Sequence, residues 1–206
     1  MKKQEDYIQD IAEIRSMMER SSKFLSLSGW AGILAGIYAL AGVYVAYTFL
    51  NFHPDKLFYA PSGSSSFSLP EFILLAITIL ILALCTAVFL SYKRAAKRNE
   101  KLWNPTSKHL LMNMAIPLVA GGILILIVIS KGLIGLVAPL SLLFYGLALF
   151  NASRDTYKEV KILGFIQIIL GLLSCWFVQY GLLLWAVGFG VVHIIYGIYM
   201  NYKYEK

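Results

Sequence analysis

The sequence predicts an all-α, polytopic integral membrane protein: a bundle of six transmembrane helices preceded by an amphipathic cytoplasmic helix. Three observations carry that fold class. The first is missing charge. Between Lys161 and Lys203 lie 41 residues without one Asp, Glu, Lys or Arg, and shorter charge-free stretches occupy 24–54, 72–92, 109–130 and 132–153. A helix needs about 20 apolar residues to cross a ~30 Å hydrocarbon layer, so each shorter stretch holds one span and the longest holds two. The second is composition. Hydrophobic residues make up 59% of the 206 and charged residues 14%, with a mean hydropathy of +0.70, outside the range of soluble domains.

The third observation is where the charge sits. Six spans place 16 of the 18 basic residues on one side and leave only Lys56 and Lys131 on the other. Short-loop Lys/Arg bias orients multi-pass proteins, so both termini are expected in the cytoplasm. The net charge of +7 is then an orientation signal that also faces anionic lipid heads. It argues for a membrane surface over nucleic acid, because positive-inside loops account for the basic excess.

Residues 1–27 read as the cytoplasmic amphipathic helix. Ile8, Ile11, Ile14 and Met18 recur at helical spacing, and Arg15–Glu19 and Glu19–Lys23 form i,i+4 pairs. Such a helix can lie among head groups, cover the cytoplasmic end of the bundle, or dock a cytosolic partner. The charged stretch ahead of the first apolar run, and the length of that run, predict no cleavable signal peptide.

Helix 1 is predicted over 28–50. Gly29, Gly32 and Gly36 line one face and include a GxxxG, which lets another backbone approach closely in lipid. That partner is either another helix of the same chain or a second copy. The loop 51–70 begins with aromatic residues (Phe52, Phe58, Tyr59) suited to an interfacial belt. It continues as a flexible SGSSSFS run and closes with Ser68-Leu-Pro-Glu71, a capping box that gives Glu71 a capping role. Helix 2, over 71–92, leads into a basic segment. That segment reads as a solvated helical extension or loop, in which Lys93, Arg94, Lys97, Arg98 and Lys101, with Trp103, are candidates for contact with lipid heads or a partner.

Helices 3 (111–130) and 4 (133–150) are separated by Lys131-Gly132 alone and form a hairpin. Pro117 and Pro139 lie within them, where a proline frees a carbonyl and either kinks the span or shapes a site. Arg154, Asp155, Lys158 and Glu159 mix signs at one-turn spacing and read as a solvated face. Helices 5 (162–179) and 6 (182–201) turn near Tyr180-Gly181, and 202–206 form a cytoplasmic tail. Tyr145-Gly146 and Tyr196-Gly197 occupy comparable places in the second helix of each hairpin, a faint sign of duplication. Cys85 and Cys175 fall inside helices 2 and 5 and read as small packing residues.

Inside the spans, the polar exceptions are His193, Gln167, Asn113 and a few hydroxyls. No chain of buried carboxylates crosses the core, which argues against an ion-coupled pump. His193 lies about eight residues from the cytoplasmic end of helix 6, roughly 12 Å deep at 1.5 Å per residue. Gln167 lies at similar depth in helix 5, so the two form a candidate intramembrane polar pair. An intramembrane histidine can relay protons or bind metal, but nothing nearby supplies a second strong ligand. No HExxH, GxSxG or Walker loop occurs, so no catalytic residue, cofactor or metal is expected.

The stretch 17–42, MMERSSKFLSLSGWAGILAGIYALAG, and the stretch 188–206, GFGVVHIIYGIYMNYKYEK, resemble a group of small bacterial six-helix inner-membrane proteins. The resemblance implies a bacterial inner (cytoplasmic) membrane; the group brings no activity, so no residue gains a role from it. The expected function is non-enzymatic: an interaction or regulatory component whose basic cytoplasmic face engages anionic lipid or a cytosolic or membrane protein partner. The alternative is a small transporter or channel for a neutral or lipid-like solute, assembled as a homo-oligomer through helix 1.

Overall fold

An apolar stretch in a hydrocarbon layer has only its own backbone to satisfy its N–H and C=O groups, which makes helix the local solution throughout. The computed structural model describes residues 28–52, 69–97 and 103–204, and every regular element among them is helical. Six helices are long and apolar enough to cross a membrane: α1 (Gly29–Thr48), α2 (Leu69–Lys97), α3 (Pro105–Ser130), α4 (Ile134–Ala152), α5 (Lys158–Trp176) and α6 (Val178–Tyr204). The amphipathic segment 1–27 lies outside the described residues, as do Lys56, Phe58, Tyr59, Ser68, Arg98, Lys101 and the last residues of the tail.

Several boundaries differ from expectation for local reasons. The basic run after Tyr92 takes the helical-extension form of its expected helix-or-loop reading: α2 continues to Lys97, because KRAAK contains good helix formers and no breaker. α3 begins at Pro105 because Asn104 caps it. Asn104 Oδ1 accepts from the Ser107 N–H at 2.7 Å, and Ser107 Oγ accepts from the Asn104 N–H at 2.9 Å. The turn between α3 and α4 falls at Lys131-Gly132, where Gly132 adopts φ +75°, a left-handed conformation that glycine takes without a Cβ clash. The α5–α6 turn is displaced from the expected Tyr180-Gly181. α5 ends at Trp176, Phe177 leaves helical conformation at φ −113° and ψ 65°, and Gly181 has ordinary helical φ.

Pro139 is also repositioned. α4 opens with a 3-10 turn at Ile134–Leu136, and its α-helical part starts at Val137. Pro139 therefore occupies the first α-helical turn, where its missing N–H leaves no intrahelical bond unmade. It starts a helix and makes no kink within it. Pro117, by contrast, lies inside α3.

The helices associate through absent side chains. α1 runs antiparallel to α6, and a Cβ on Gly29 would stand 2.5 Å from Gly197 O and 2.6 Å from Asn201 N. A Cβ on Gly32 would stand 3.3 Å from Gly197 Cα, and one on Gly36 2.7 Å from Gly190 O. The small-residue face of helix 1 is thus occupied within the chain. α4 and α5 cross in the same manner, with Gly146 and Gly164 each placing the other's carbonyl 2.8 Å from a notional Cβ. Hydrophobicity supplies little drive between helices in lipid, so such close backbone contact carries the association.

α2 and α3 flank this centre, α2 packing on α1 and α3 on α4. On α2 only Ser91, Arg94 and Ala95 are buried, while Leu74, Ile77, Leu80, Ile81 and Leu84 face outward. Cys85 and Cys175 are exposed as well, which corrects their assignment as packing residues. Phe52 is corrected in the opposite sense. It is buried beneath α2, stacked on Phe72 with ring centroids 4.2 Å apart, and does not join an interfacial belt.

Candidate functional site

Two polar centres stand out against this apolar frame, one at mid-span and one at the end that gathers the basic residues.

The mid-span centre is built by a local departure of α6 from α-helical geometry. Ala186–Val192 is π-helical, a widened turn bounded by Gly181–Trp185 and His193–Tyr204. Two glycines make room for it. A Cβ on Gly188 would meet Leu142 Cδ2 at 2.5 Å and Gln167 Oε1 at 2.7 Å, and one on Gly190 would strike Leu40 of α1. The wide turn leaves the Gly188 carbonyl open to side chains. His193 Nδ1 lies 2.8 Å from it and Gln167 Nε2 2.7 Å from it.

Those distances fix the histidine tautomer. A carbonyl oxygen only accepts, so in the neutral imidazole His193 Nδ1 carries the proton and Nε2 is the acceptor. Tyr145 of α4 supplies the matching donor, its hydroxyl 3.0 Å from His193 Nε2. Gln167 Nε2 and His193 Nδ1 lie 3.4 Å apart, yet both are donors. The structure places the two residues together, but they converge on Gly188 O and do not bond directly. Gln167 Oε1 is buried with no hydrogen-bond partner; it faces the Cα–H of Gly188, at best a weak acceptor contact.

An aromatic ladder runs beside this centre along the α4–α6 seam. Phe189 stacks on His193 at 5.7 Å between centroids and contacts Tyr145 at 5.0 Å and Trp185 at 4.8 Å. Trp185 Nε1 donates to Ser141 Oγ at 3.1 Å. Both imidazole nitrogens are engaged, and among the described residues no three His, Cys, Asp or Glu side chains gather. Tyr145 and Gly188 did not emerge from the sequence as members of this centre. Depth was the available signal for Tyr145, which precedes Arg154 by nine residues as His193 precedes Lys203 by ten.

The second centre knits together the ends of four helices. Arg94 of α2 is buried and donates to Tyr204 O at 3.0 Å and to the Tyr157 hydroxyl at 3.5 Å. Tyr157 and Tyr204 pack with their rings tilted by 39° and centroids 4.3 Å apart. Glu159 Oε1 accepts from Lys203 Nζ at 2.6 Å and from the Tyr204 hydroxyl at 3.0 Å. Nearby, Asp155 Oδ2 accepts from His109 Nδ1 at 2.9 Å and from Asn113 Nδ2 at 2.8 Å, tying α3 to the α4–α5 turn.

These bonds revise two expectations. Arg94, grouped with the head-group contacts, is turned into the bundle because two acceptors await it there. The Arg154–Glu159 stretch is solvated only on its basic side: Arg154 and Lys158 are exposed, while Asp155 and Glu159 face neighbouring helices. Most of the described Lys and Arg side chains of this end face outward, Lys203 with Glu159 as its partner. Lys93, Lys97, Lys108, Arg154, Lys158, Lys161 and Lys203 are all exposed. Lys108 lies 5.7 Å from the ring of exposed Trp103, and Lys161 lies 5.2 Å from that of Phe150, cation–π pairs typical of an aqueous boundary.

No protein-family model matches the chain, and no curated protein or solved structure matches it.

Proposed function

We propose that this is a non-enzymatic membrane component with both termini in the cytoplasm of a bacterial cell, embedded in its inner membrane. Its basic face engages anionic ligands, either lipid heads or an acidic surface of a protein partner. One observation carries the reading: among the described residues, Lys93, Lys97, Lys108, Arg154, Lys158 and Lys161 are exposed at one end of the bundle, while Asp155 and Glu159 bond His109, Asn113, Lys203 and Tyr204. Inward acids and outward bases concentrate positive potential where phosphate groups lie, worth about 1 kcal/mol per base near an anionic leaflet.

Native mass spectrometry tests this with protein purified in mild detergent and offered equal phosphatidylglycerol and phosphatidylcholine. The wild type should retain the anionic lipid preferentially, or carry a stoichiometric protein through purification. A variant with Lys93, Lys97, Lys108, Lys158 and Lys161 changed to Gln should lose that selectivity. Equal retention of both lipids by both proteins, with no protein partner, would overturn the reading.

A second reading, passage of a small neutral or lipid-like solute, is favoured by the π-helical turn and the unbonded Gln167 Oε1 at mid-span, since such turns recur at functional sites. It requires water to reach this centre. Cysteines at Tyr145 or Phe189 should then react with soluble thiol reagents, and complete protection would exclude it.

A further inference from the structure

Two fully buried residues in the apolar length of α5, Gln167 and Ser174, each leave a side-chain oxygen without a hydrogen-bond partner. They lie seven residues apart, hence on one helix face, and each faces a glycine of α6. A Cβ on Gly188 would stand 2.7 Å from Gln167 Oε1, and one on Gly181 3.5 Å from Ser174 Oγ. Room separates the two. Leu142 comes within 2.5 Å of the point over Gly188, so close packing seals Gln167. Over Gly181 nothing lies nearer than the serine, and the next atoms are Ala138 Cβ at 3.8 Å and Gly135 O at 3.9 Å. Ser174 has also turned from its own helix. Thr48, Thr78, Ser130, Ser141 and Ser153 each donate to a carbonyl three or four residues back, the usual recourse of a helical hydroxyl. Ser174 makes no such bond although it is wholly buried, where an unmade bond is costly.

We infer that Gly181 opens a binding site for one water molecule at the end of the bundle opposite the basic face. The water accepts from Ser174 Oγ and donates to Gly135 O. That carbonyl belongs to the 3-10 turn at the start of α4, and the residue four places on is Pro139, which has no N–H to give it. The pair sets the ligand chemistry. A carbonyl repels an anion, a hard metal cation needs several more oxygens, and an apolar group would leave the hydroxyl unbonded. Only a group that both accepts and donates serves both atoms, and two polar partners with about a methyl's room meet the needs of a buried water. Gly171, between Gln167 and Ser174 on the same face, is closed by the Leu143 backbone, 2.8 Å from a notional Cβ. The site is therefore separate from the mid-span centre. Its water joins the end of α5 to the start of α4 over the start of α6, as Glu159 and Asp155 bond neighbouring helices at the basic end.

The test uses the full chain in detergent micelles, deuterated except for isotope-labelled alanine methyl groups, and measures magnetisation transfer from water to those methyls. A methyl carries no exchangeable hydrogen, so the Ala138 methyl should report the bound water directly as a cross-peak in the wild type. Gly181→Ala should abolish that cross-peak, and Ser174→Ala should weaken it severalfold. Thermal unfolding gives an independent readout. The methyl of Gly181→Ala meets nothing closer than 3.5 Å, and Gly181 has an ordinary helical φ of −53°. In a dry site alanine's helix propensity would therefore raise the unfolding midpoint. With water bound, the methyl displaces it and strands both polar atoms, so the midpoint should fall below that of the wild type. Adding Ser174→Ala should then recover part of the loss, the non-additivity of residues that share a partner. A wild type without the Ala138 cross-peak would overturn the site, as would a Gly181→Ala variant that retains it or unfolds at the same or a higher temperature. Ser174→Ala adds no atom and keeps the site testable if Gly181→Ala does not fold; a cross-peak undiminished in it would count equally against the water.

Discussion

At Gly188 a missing side chain decides the geometry of three others. Its Cα faces Gln167 Oε1, its carbonyl receives both Gln167 and His193, and Leu142 closes the remaining space. Gly188→Ala should therefore force Leu142 or Gln167 aside and cost about 1–3 kcal/mol, the usual range for overpacking a filled core. Gly122→Ala, with nothing within 4 Å of the added carbon, is the matched control and should be neutral or slightly stabilising. Thermal unfolding of both variants in the same detergent checks the pair. At this scale the sequence was partly legible. Depth matching brought His193 and Gln167 to one level because both are polar residues in otherwise apolar runs. It could not find Gly188, because a carbonyl exposed by a widened turn has no letter in the sequence. Arg94 was misread for a related reason: nothing in KRAAK distinguishes the one cation that meets acceptors inside from those that do not.

Among the elements, the pairing of α1 with α6 organises the bundle, and it rests on glycines seven residues apart in both helices. Gly29 meets Gly197, and Gly36 meets Gly190, across an antiparallel crossing. Gly197→Leu should separate the helices, since even a Cβ there would lie 2.5 Å from Gly29 O and 2.6 Å from Ile33 N. The expected cost is about 3 kcal/mol or more, because backbone offers no rotamer by which to yield. Ile198→Leu on the exposed side of the same turn should change stability by less than about 0.5 kcal/mol. Urea- or SDS-titrated unfolding followed by tryptophan fluorescence measures both. The existence of each helix was plain in the sequence, because an uncharged run of about 20 residues has few other readings. Helix ends and partners were less so. Asn104, Phe177 and Leu136 end or start helices through local backbone geometry that hydropathy does not record. The Gly29–Gly36 face announced a close contact without naming its partner; the equal spacing of Gly190 and Gly197 is the signal that could have named it.

For the whole molecule, the sorting of charge joins architecture to function. The bonds of Arg94, Asp155 and Glu159 gather the end of α2, the start of α3, the α4–α5 turn and the end of α6 into one polar face. Lys131 stands in the turn at the opposite end. The uneven division of basic residues was readable from the chain alone, since counting needs only the spans. That the acids of this face would turn inward was not, because their partners His109, Asn113, Lys203 and Tyr204 come from distant segments. The placement of the basic face in the cytoplasm is the claim on which the functional reading depends, and cysteine accessibility in intact cells tests it most directly. In a Cys85→Ser, Cys175→Ser background, a single cysteine at Lys131 should be labelled by a membrane-impermeant maleimide from outside. A cysteine at Lys108 or Lys158 should be labelled only after the cells are permeabilised. Labelling of Lys108 and Lys158 positions in intact cells, with Lys131 protected, would contradict the account.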